Sequence, residues 1–221
     1  MKIIIIGGKG TAVNIANQIV DAQALYSEKI EFLGYSIDDP ALGNTIHGYP
    51  VLCNTNDLDR SFSKYSDVKY IYSLYKPEKM KERIELLKSY RISNEKFYTF
   101  IHPTAYVAEN VNIGRGSVVL SHCSIHSNVS IGMYNVINSN VVIEHDTKIS
   151  DHNFIAASVC IGSNIIVKNG SFIGLNSTIR ENSIINDYGF IGMGSNVITD
   201  VASNTVVYGN PAKEYDHGNR A

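Results

Sequence analysis

From residue 101 onward an aliphatic side chain recurs at every sixth position: Ile101, Val107, Ile113, Val119, Ile125, Ile131, Ile137, Ile143, Ile149, Ile155, Ile161, Val167, Ile173, Ile179, Ile185, Ile191 and Val197. A period of six fits neither the 3.6-residue helix nor the two-residue alternation of a half-buried strand. It predicts a triangular coil in which each repeat supplies one short strand and one turn, three repeats making one circuit of 18 residues. The residue four after each anchor is mostly small or β-branched (Ala105, Val111, Ser117, Cys123, Val129, Val141, Thr147, Val159, Ser171, Ser177, Ser195), a size suited to the inside of a tight corner. Gly114, Gly132, Gly162, Gly174 and Gly192 directly follow anchors, and the expectation is a backbone bend there at which a Cβ is awkward. The register runs for about six coils with no long loop expelled.

The first 100 residues follow another rule. A buried strand from Lys2 to Ile6 leads into a glycine turn (Gly7, Gly8, Gly10) and a helical stretch with Val13, Ala16, Ile19 and Val20 on one face, which together read as a βαβ unit. A second strand, Glu31 to Ile37, ends in Asp38-Asp39-Pro40; a third runs Lys69 to Leu74, and a helix from Pro77 to about Tyr90 begins with proline in its first turn. His47-Gly-Tyr-Pro-Val-Leu52 leads to a short helix near Asp57, and the junction with the repeat falls at His102-Pro103. Two domains are expected, 1–100 and 101–221, the second carrying a C-terminal tail.

Composition narrows the function classes. The formal net charge is -2 and no Lys/Arg cluster appears, which argues against a nucleic-acid partner. Three cysteines, Cys53, Cys123 and Cys160, are odd in number and lack a CxxC spacing; they read as reduced packing residues of a cytoplasmic protein. MKIIIIGG lacks a cleavage pattern, and nowhere do 18 apolar residues run together, so no membrane span is expected.

The Gly8-Lys9-Gly10 turn lacks the third glycine of a dinucleotide fingerprint, Val13 standing in its place, so an NAD site is disfavoured. What remains is a helix N-terminus whose N–H groups can hold a phosphate, and carboxylates at a strand end that can accept from ribose hydroxyls or a base. A plain turn before Pro40 explains Asp38 and Asp39 equally well, and both readings stand.

The GGxG turn, the I-D-D-P strand end, G-Y-P-V-L, the I-H-P-T-A junction, a six-fold repeat containing I-E-H-D, and a terminal G-N-P-A-K together resemble the bacterial nucleotide-sugar N-acyltransferases over nearly the whole chain. That family includes bacillosamine-pathway, perosamine and sialic-acid acetyltransferases. The resemblance implies a small Rossmann-like α/β domain followed by a left-handed parallel β-helix of hexapeptide repeats, the left hand coming from the family alone. It also implies a homotrimer, a UDP- or TDP-linked amino sugar in the N-terminal domain, and acetyl-CoA between neighbouring solenoids, with no metal.

Acetyl transfer from a thioester to an amine passes through a tetrahedral intermediate, which calls for a proton acceptor and an oxyanion donor. Histidine titrates near working pH, and His145 lies two residues past its anchor on an outward turn; Asp146 can hold its far nitrogen. The plainer alternative is one solvated turn histidine among several, beside His122, His126 and His152. In the family's position I-E-H-D makes His145 the general base and Asp146 its orienter. Gly8, Lys9, Gly10, Thr11, Asp38 and Asp39 are the candidate substrate-binding residues, with Thr11 standing where the family often has histidine. On the cofactor side, the family's second histidine, nine residues after the first, is Phe154 here, which changes how the acyl group is positioned. Ser127, His145 and Ser163 share one 18-residue column, and Ala157, Leu175 and Met193 another. The resemblance implies a carbonyl of the pantetheine arm at the backbone N–H groups near Gly162 and Ser163; Leu175 and Met193 are read as wall for the pantetheine or trimer contact, and Lys213 either as a partner for a phosphate of CoA or as an ordinary surface lysine.

The reading is an acetyl-CoA-dependent N-acetyltransferase of a nucleotide-linked amino-dideoxy sugar, a 4-amino-4,6-dideoxyhexose, for surface glycan synthesis. Two alternatives within the same fold are a sugar O-acetyltransferase of the sialic-acid type and a non-catalytic trimeric scaffold. A γ-type carbonic anhydrase, with three histidines on a metal, is disfavoured because His145 and His152 fall on different faces.

Overall fold

The structure, a computed structural model, describes residues 1–215. The N-terminal part consists of β1 (Lys2–Ile6), α1 (Thr11–Tyr26), β2 (Glu31–Ser36), β3 (Thr45–Ile46), β4 (Tyr49–Cys53), α2 (Leu58–Phe62), β5 (Val68–Tyr72) and α3 (Met80–Ser89). Their sheet has the order β3-β4-β2-β1-β5, parallel except for the β3/β4 hairpin. The unbroken run Ile3 to Ile6 follows from β1 being central and covered on both faces. Ile3 and Ile5 pack with α1, whereas Ile4 and Ile6 pack with Leu58 and Leu87. Each fully buried isoleucine contributes on the order of 2 to 3 kcal/mol.

Two local expectations shift, and one segment with no expected element gains one. The buried face of α1 is Ala12, Ile15, Ala16, Ile19 and Ala22, with Val13 and Val20 only at its edge, because the 3.6-residue stripe centres on Ile15 and Ile19. The segment from Tyr49 to Cys53 is a strand, pinned in parallel beside β2. The Pro77 helix opens as a 3₁₀ turn, Pro77–Lys79, before α3 begins at Met80.

From Phe100 the chain winds as a three-faced solenoid. The first face stacks the strands Tyr106–Val107, Ser124–Ile125, Val142–Ile143, Cys160–Ile161, Thr178–Ile179 and Asn196–Val197. The second stacks those ending at Ile113, Ile131, Ile149, Val167 and Ile185, and the third those ending at Ile101, Val119, Ile137, Ile155, Ile173 and Ile191, extended by the hairpin Val206–Gly209 with Ala212–Glu214. Up to Val197 every rung is parallel and advances by one circuit, as Val142 against Cys160 and Ile143 against Ile161. The anchors of the middle coils are fully buried in one continuous core. Inside the corners, Ser117, Thr147, Ser171 and Ser177 donate to the carbonyls of Gly132, Gly162, Asn186 and Gly192, so their buried hydroxyls are satisfied.

The glycines after the anchors are needed for a different reason from a bend. At Gly174 a Cβ would lie 2.5 Å from the Met193 amide nitrogen, and at Gly162 2.9 Å from that of Glu181, so these positions exclude side chains because the next coil passes too close. The left-handed residue comes two positions later. Asn128, Asn140, Asp146, His152, Asn164, Asn176 and Asn182 all take φ between 54° and 63° there.

The N-terminal part sits on the third face. Phe100, Val118 and Leu120 join the cluster around β1 and α1, and Gln18 of α1 bridges to it by donating to Ser139 Oγ (3.0 Å) and accepting from the Ser121 amide (2.8 Å). At the corner between the second and third faces, His152 stacks on Tyr134 with ring centroids 5.1 Å apart, and its Nδ1 lies 3.0 Å from Tyr75 Oη. Among the described residues no helix is long and apolar enough to cross a membrane.

Candidate functional site

Two places in the chain gather chemistry. The first lies at the carboxyl ends of β1, β2 and β5, where open parallel sheets present backbone donors and strand-end side chains to ligands. A cavity of about 620 Å³ opens there, lined by Gly8, Lys9, Asp38, Asp39, Ser73, Tyr75, Lys76, Arg83 and Tyr90 among others. Helix α1 starts at Gly10 without a side-chain cap, which leaves its N-terminal dipole facing the glycine turn. A Cβ at Gly8 would lie 2.7 Å from Ile46 Cδ1, the flexible end of a side chain that can move aside. Thr11 is the first residue of α1.

Asp38 and Asp39 do structural work and still face the cavity. Asp39 Oδ1 accepts from the Ala41 amide (3.1 Å), capping the turn at Pro40, and Oδ2 takes the Lys9 ammonium at 2.9 Å. The Lys9 hydrogen bond, then that of Ala41, holds the Asp39 carboxyl below its ordinary range. Asp38 Oδ1 accepts from the Thr55 amide at 2.7 Å and Oδ2 from Tyr90 Oη at 3.4 Å. Ser73 Oγ and Arg83 Nε are buried with no protein partner, two donors facing a cavity that holds a ligand-sized volume. Ser73, Tyr75, Arg83 and Tyr90 were not singled out from sequence, because nothing in their local spacing links them to the glycine turn; only the sheet order does.

The second place is the solenoid corner between the first and second faces. His145 and Asp146 are about half exposed there, and His145 Nδ1 lies 2.8 Å from Asp146 Oδ2. A carboxylate only accepts, so Nδ1 carries a proton, and in the neutral ring Nε2 keeps its lone pair. Asp146 Oδ1 accepts from Asn128 Nδ2 at 3.0 Å, and the bonds from His145 and then Asn128 hold its carboxyl below the ordinary range. Beside it on the first face, His126 Nε2 lies 3.0 Å from Ser124 Oγ and its Nδ1 3.5 Å from Glu144 Oε2. His152 has another role: burial lowers its pKa, and its ring is engaged with Tyr75 and Tyr134 at the seam between the two parts. Among the described residues no three His, Cys, Asp or Glu side chains converge as a metal site.

One chain does not bring the cofactor candidates together. Phe154 lies on the third face, stacked on Phe172 at 5.4 Å, which stacks in turn on Phe190 at 4.9 Å. Gly162 and Ser163 lie one coil past His145 on its corner. The Gly162 N–H already donates to Ile179 O at 3.0 Å, so it is engaged in the coil ladder and not free for an oxyanion. Leu175 and Met193 lie at the corner between the third and first faces, 52% and 77% exposed. Lys213 is on the terminal hairpin, beside a cavity of about 430 Å³ at the solenoid's end. The strand-end cavity and His145 likewise belong to different sides of the prism.

No family model and no curated protein matches the chain. Solved structures do. PerB from Caulobacter crescentus, in complex with CoA and GDP-perosamine, has a TM-score of 0.77 at 21% identity, covering 98% of each chain. The acetyltransferase domain of PglB from Neisseria gonorrhoeae, in complex with acetyl coenzyme A, has a TM-score of 0.81 at 20% identity over 97% of this chain and 98% of that one. WeeI from Acinetobacter baumannii has a TM-score of 0.77 at 24% identity over 97% and 100%. The chain shares their fold over nearly its whole length.

Proposed function

We propose that the chain is an acetyl-CoA-dependent N-acetyltransferase acting on a nucleotide-linked amino-dideoxy sugar, with His145 as general base. The observation that carries this reading is the exposed His145–Asp146 pair, Nδ1 to Oδ2 at 2.8 Å, on a fold shared with an acetyltransferase that binds CoA and GDP-perosamine. In this reading the unit 1–100 is a Rossmann-like nucleotide-sugar domain and 101–221 a left-handed β-helix acyltransferase domain, working in the cytoplasm. Lys9, Thr11, Ser73 and Arg83 are suited to the diphosphate by charge and donor count, and Asp38 and Asp39 to ribose or base hydrogens.

The chemistry runs on this chain's own groups. His145 Nε2 accepts a proton from the sugar amine as its nitrogen attacks the thioester carbonyl; the N–C bond forms and the carbonyl oxygen takes the negative charge. Collapse breaks the C–S bond, and His145 returns the proton to the departing thiolate. Asp146 keeps the imidazole in the tautomer that leaves Nε2 basic and stabilises the imidazolium. With Gly162 engaged in the ladder, the Ser163 amide is the better oxyanion donor of the two. A homotrimer is part of the proposal, because only a neighbouring solenoid can bring Phe154, Leu175 and Met193 near a His145 corner.

The test is thiol release from acetyl-CoA against a panel of UDP-, TDP- and GDP-linked amino sugars, with product mass to separate amide from ester. Turnover with at least one amino sugar, giving an amide, is the expected result. Failure across the panel would overturn the proposal, and an ester product would move it to O-acetylation.

A further inference from the structure

The corner that carries His145 also carries a ladder of side-chain amides, one rung per coil. Asn110 Nδ2 donates to Asn128 Oδ1, and Asn164 Nδ2 donates to Asn182 Oδ1 at 2.6 Å. Three of its asparagines sit in the left-handed turn position, φ 61° at Asn128, 55° at Asn164 and 63° at Asn182, where asparagine is among the few non-glycine residues at ease. Position 146 interrupts the series. As a carboxylate Asp146 accepts from Asn128 on Oδ1 but has no N–H to pass to the next rung, and its Oδ2 takes His145 Nδ1 instead.

The orientation of Asn128 is fixed from below. Its backbone N–H donates to Asn110 Oδ1 at 3.2 Å while its own Oδ1 accepts from Asn110 Nδ2, so its Nδ2 must point up at Asp146. An asparagine at 146 would restore the ladder and cost His145 its acceptor: an amide N–H facing Nδ1 drives the ring proton to Nε2 and removes the base. The break in the ladder therefore coincides with the one rung whose second oxygen is needed.

We propose that Asn128 is a positioning residue of the acetyl-transfer site, acting through Asp146 to hold His145 in its Nδ1–H tautomer. This rests on the reading of His145 as the base. Asn182 supplies a matched control, since it makes the same kind of rung at the same backbone conformation and touches neither Asp146 nor His145.

The experiment compares Asn128→Gly with Asn182→Gly, glycine keeping the left-handed turn at no steric cost. Heteronuclear NMR of the neutral His145 imidazole reads the tautomer; thiol release reads kcat and KM. Asn128→Gly is expected to show a mixed tautomer and a kcat about tenfold lower, a fraction of the general-base contribution, with KM for acetyl-CoA unchanged. Asn182→Gly is expected to match the parent on every readout. A retained single Nδ1–H tautomer in Asn128→Gly, or an equal change in Asn182→Gly, would overturn the proposal. Should Asn128→Gly fail to fold, Asn128→Asp replaces the donor by a repelling carboxylate, and the same tautomer shift is expected. The NMR arm decides the positioning role even if no sugar in the panel is turned over, so the two readings fail separately.

Discussion

The base role proposed for His145 needs a free lone pair, and the bond between Nδ1 and Asp146 Oδ2 leaves one on Nε2 of the neutral ring. His145→Ala is expected to lower kcat by about 10²-fold or more, the usual general-base scale, with subunit assembly unchanged; near-parental thiol release would end that assignment. His152 shows the opposite case of a histidine whose surroundings favour the neutral form. Burial lowers its pKa from the ordinary 6.5, outweighing the opposing Asp151 carboxylate, and His102 is depressed by burial in the same way. For a base with a depressed folded-state pKa, the unfolded chain binds more protons below 6.5. Stability is therefore complete above that pH and falls as pH drops through 6.5 toward the folded value. Melting temperature should decline on acidification in that window, and His152→Phe should reduce the slope while His102 retains part of it. The sequence separated these histidines only by column; the stacking on Tyr134 and the bond to Tyr75 that occupy His152 join parts of the chain too distant for local spacing to reveal.

Within a coil, the same six-residue element uses glycine in two distinct ways. Gly174 is excluded from bearing a side chain by the backbone of the next coil, whereas Gly194 has φ 66° and open space around its Cβ direction. Gly174→Ala is therefore expected to destabilise by about 1 to 3 kcal/mol through overpacking, visible in thermal unfolding. Gly194→Asn should be neutral, because Asn140 and Asn176 already hold that turn one or more circuits earlier at φ 62° and 54°. A Gly174→Ala protein as stable as its parent would show that the coils can slide apart at that rung. The anchor register was legible because each repeat makes the same contact 18 residues away, so the period itself encodes the three-dimensional neighbour. The purpose of the glycines was not, since a close approach between coils and a turn at positive φ call for the same residue.

At the scale of the molecule the N-terminal part was legible as strand, turn and helix but not as a cleft. Arg83 and Tyr90 reach the glycine turn only because β5 pairs beside β1 and α3 follows it, a long-range consequence of sheet order. The same scale decides whether a single chain can work. The cavity at the strand ends belongs to the part that sits on the third face, His145 projects from the corner between first and second, and the exposed Leu175 and Met193 line the corner between third and first. Large apolar side chains at 52% and 77% exposure on successive coils form a strip that a polar turn has no reason to carry, and the proposed homotrimer would cover it by apposing solenoids. Leu175→Glu with Met193→Glu should then yield monomers in sedimentation, since two buried like charges on each subunit oppose contact. The His145–Asp146 bond lies on another corner and should survive, so NMR should report the parental tautomer while thiol release is lost. Monomers that still turn over would place the whole site within one chain, and trimers that persist would remove the strip from the interface.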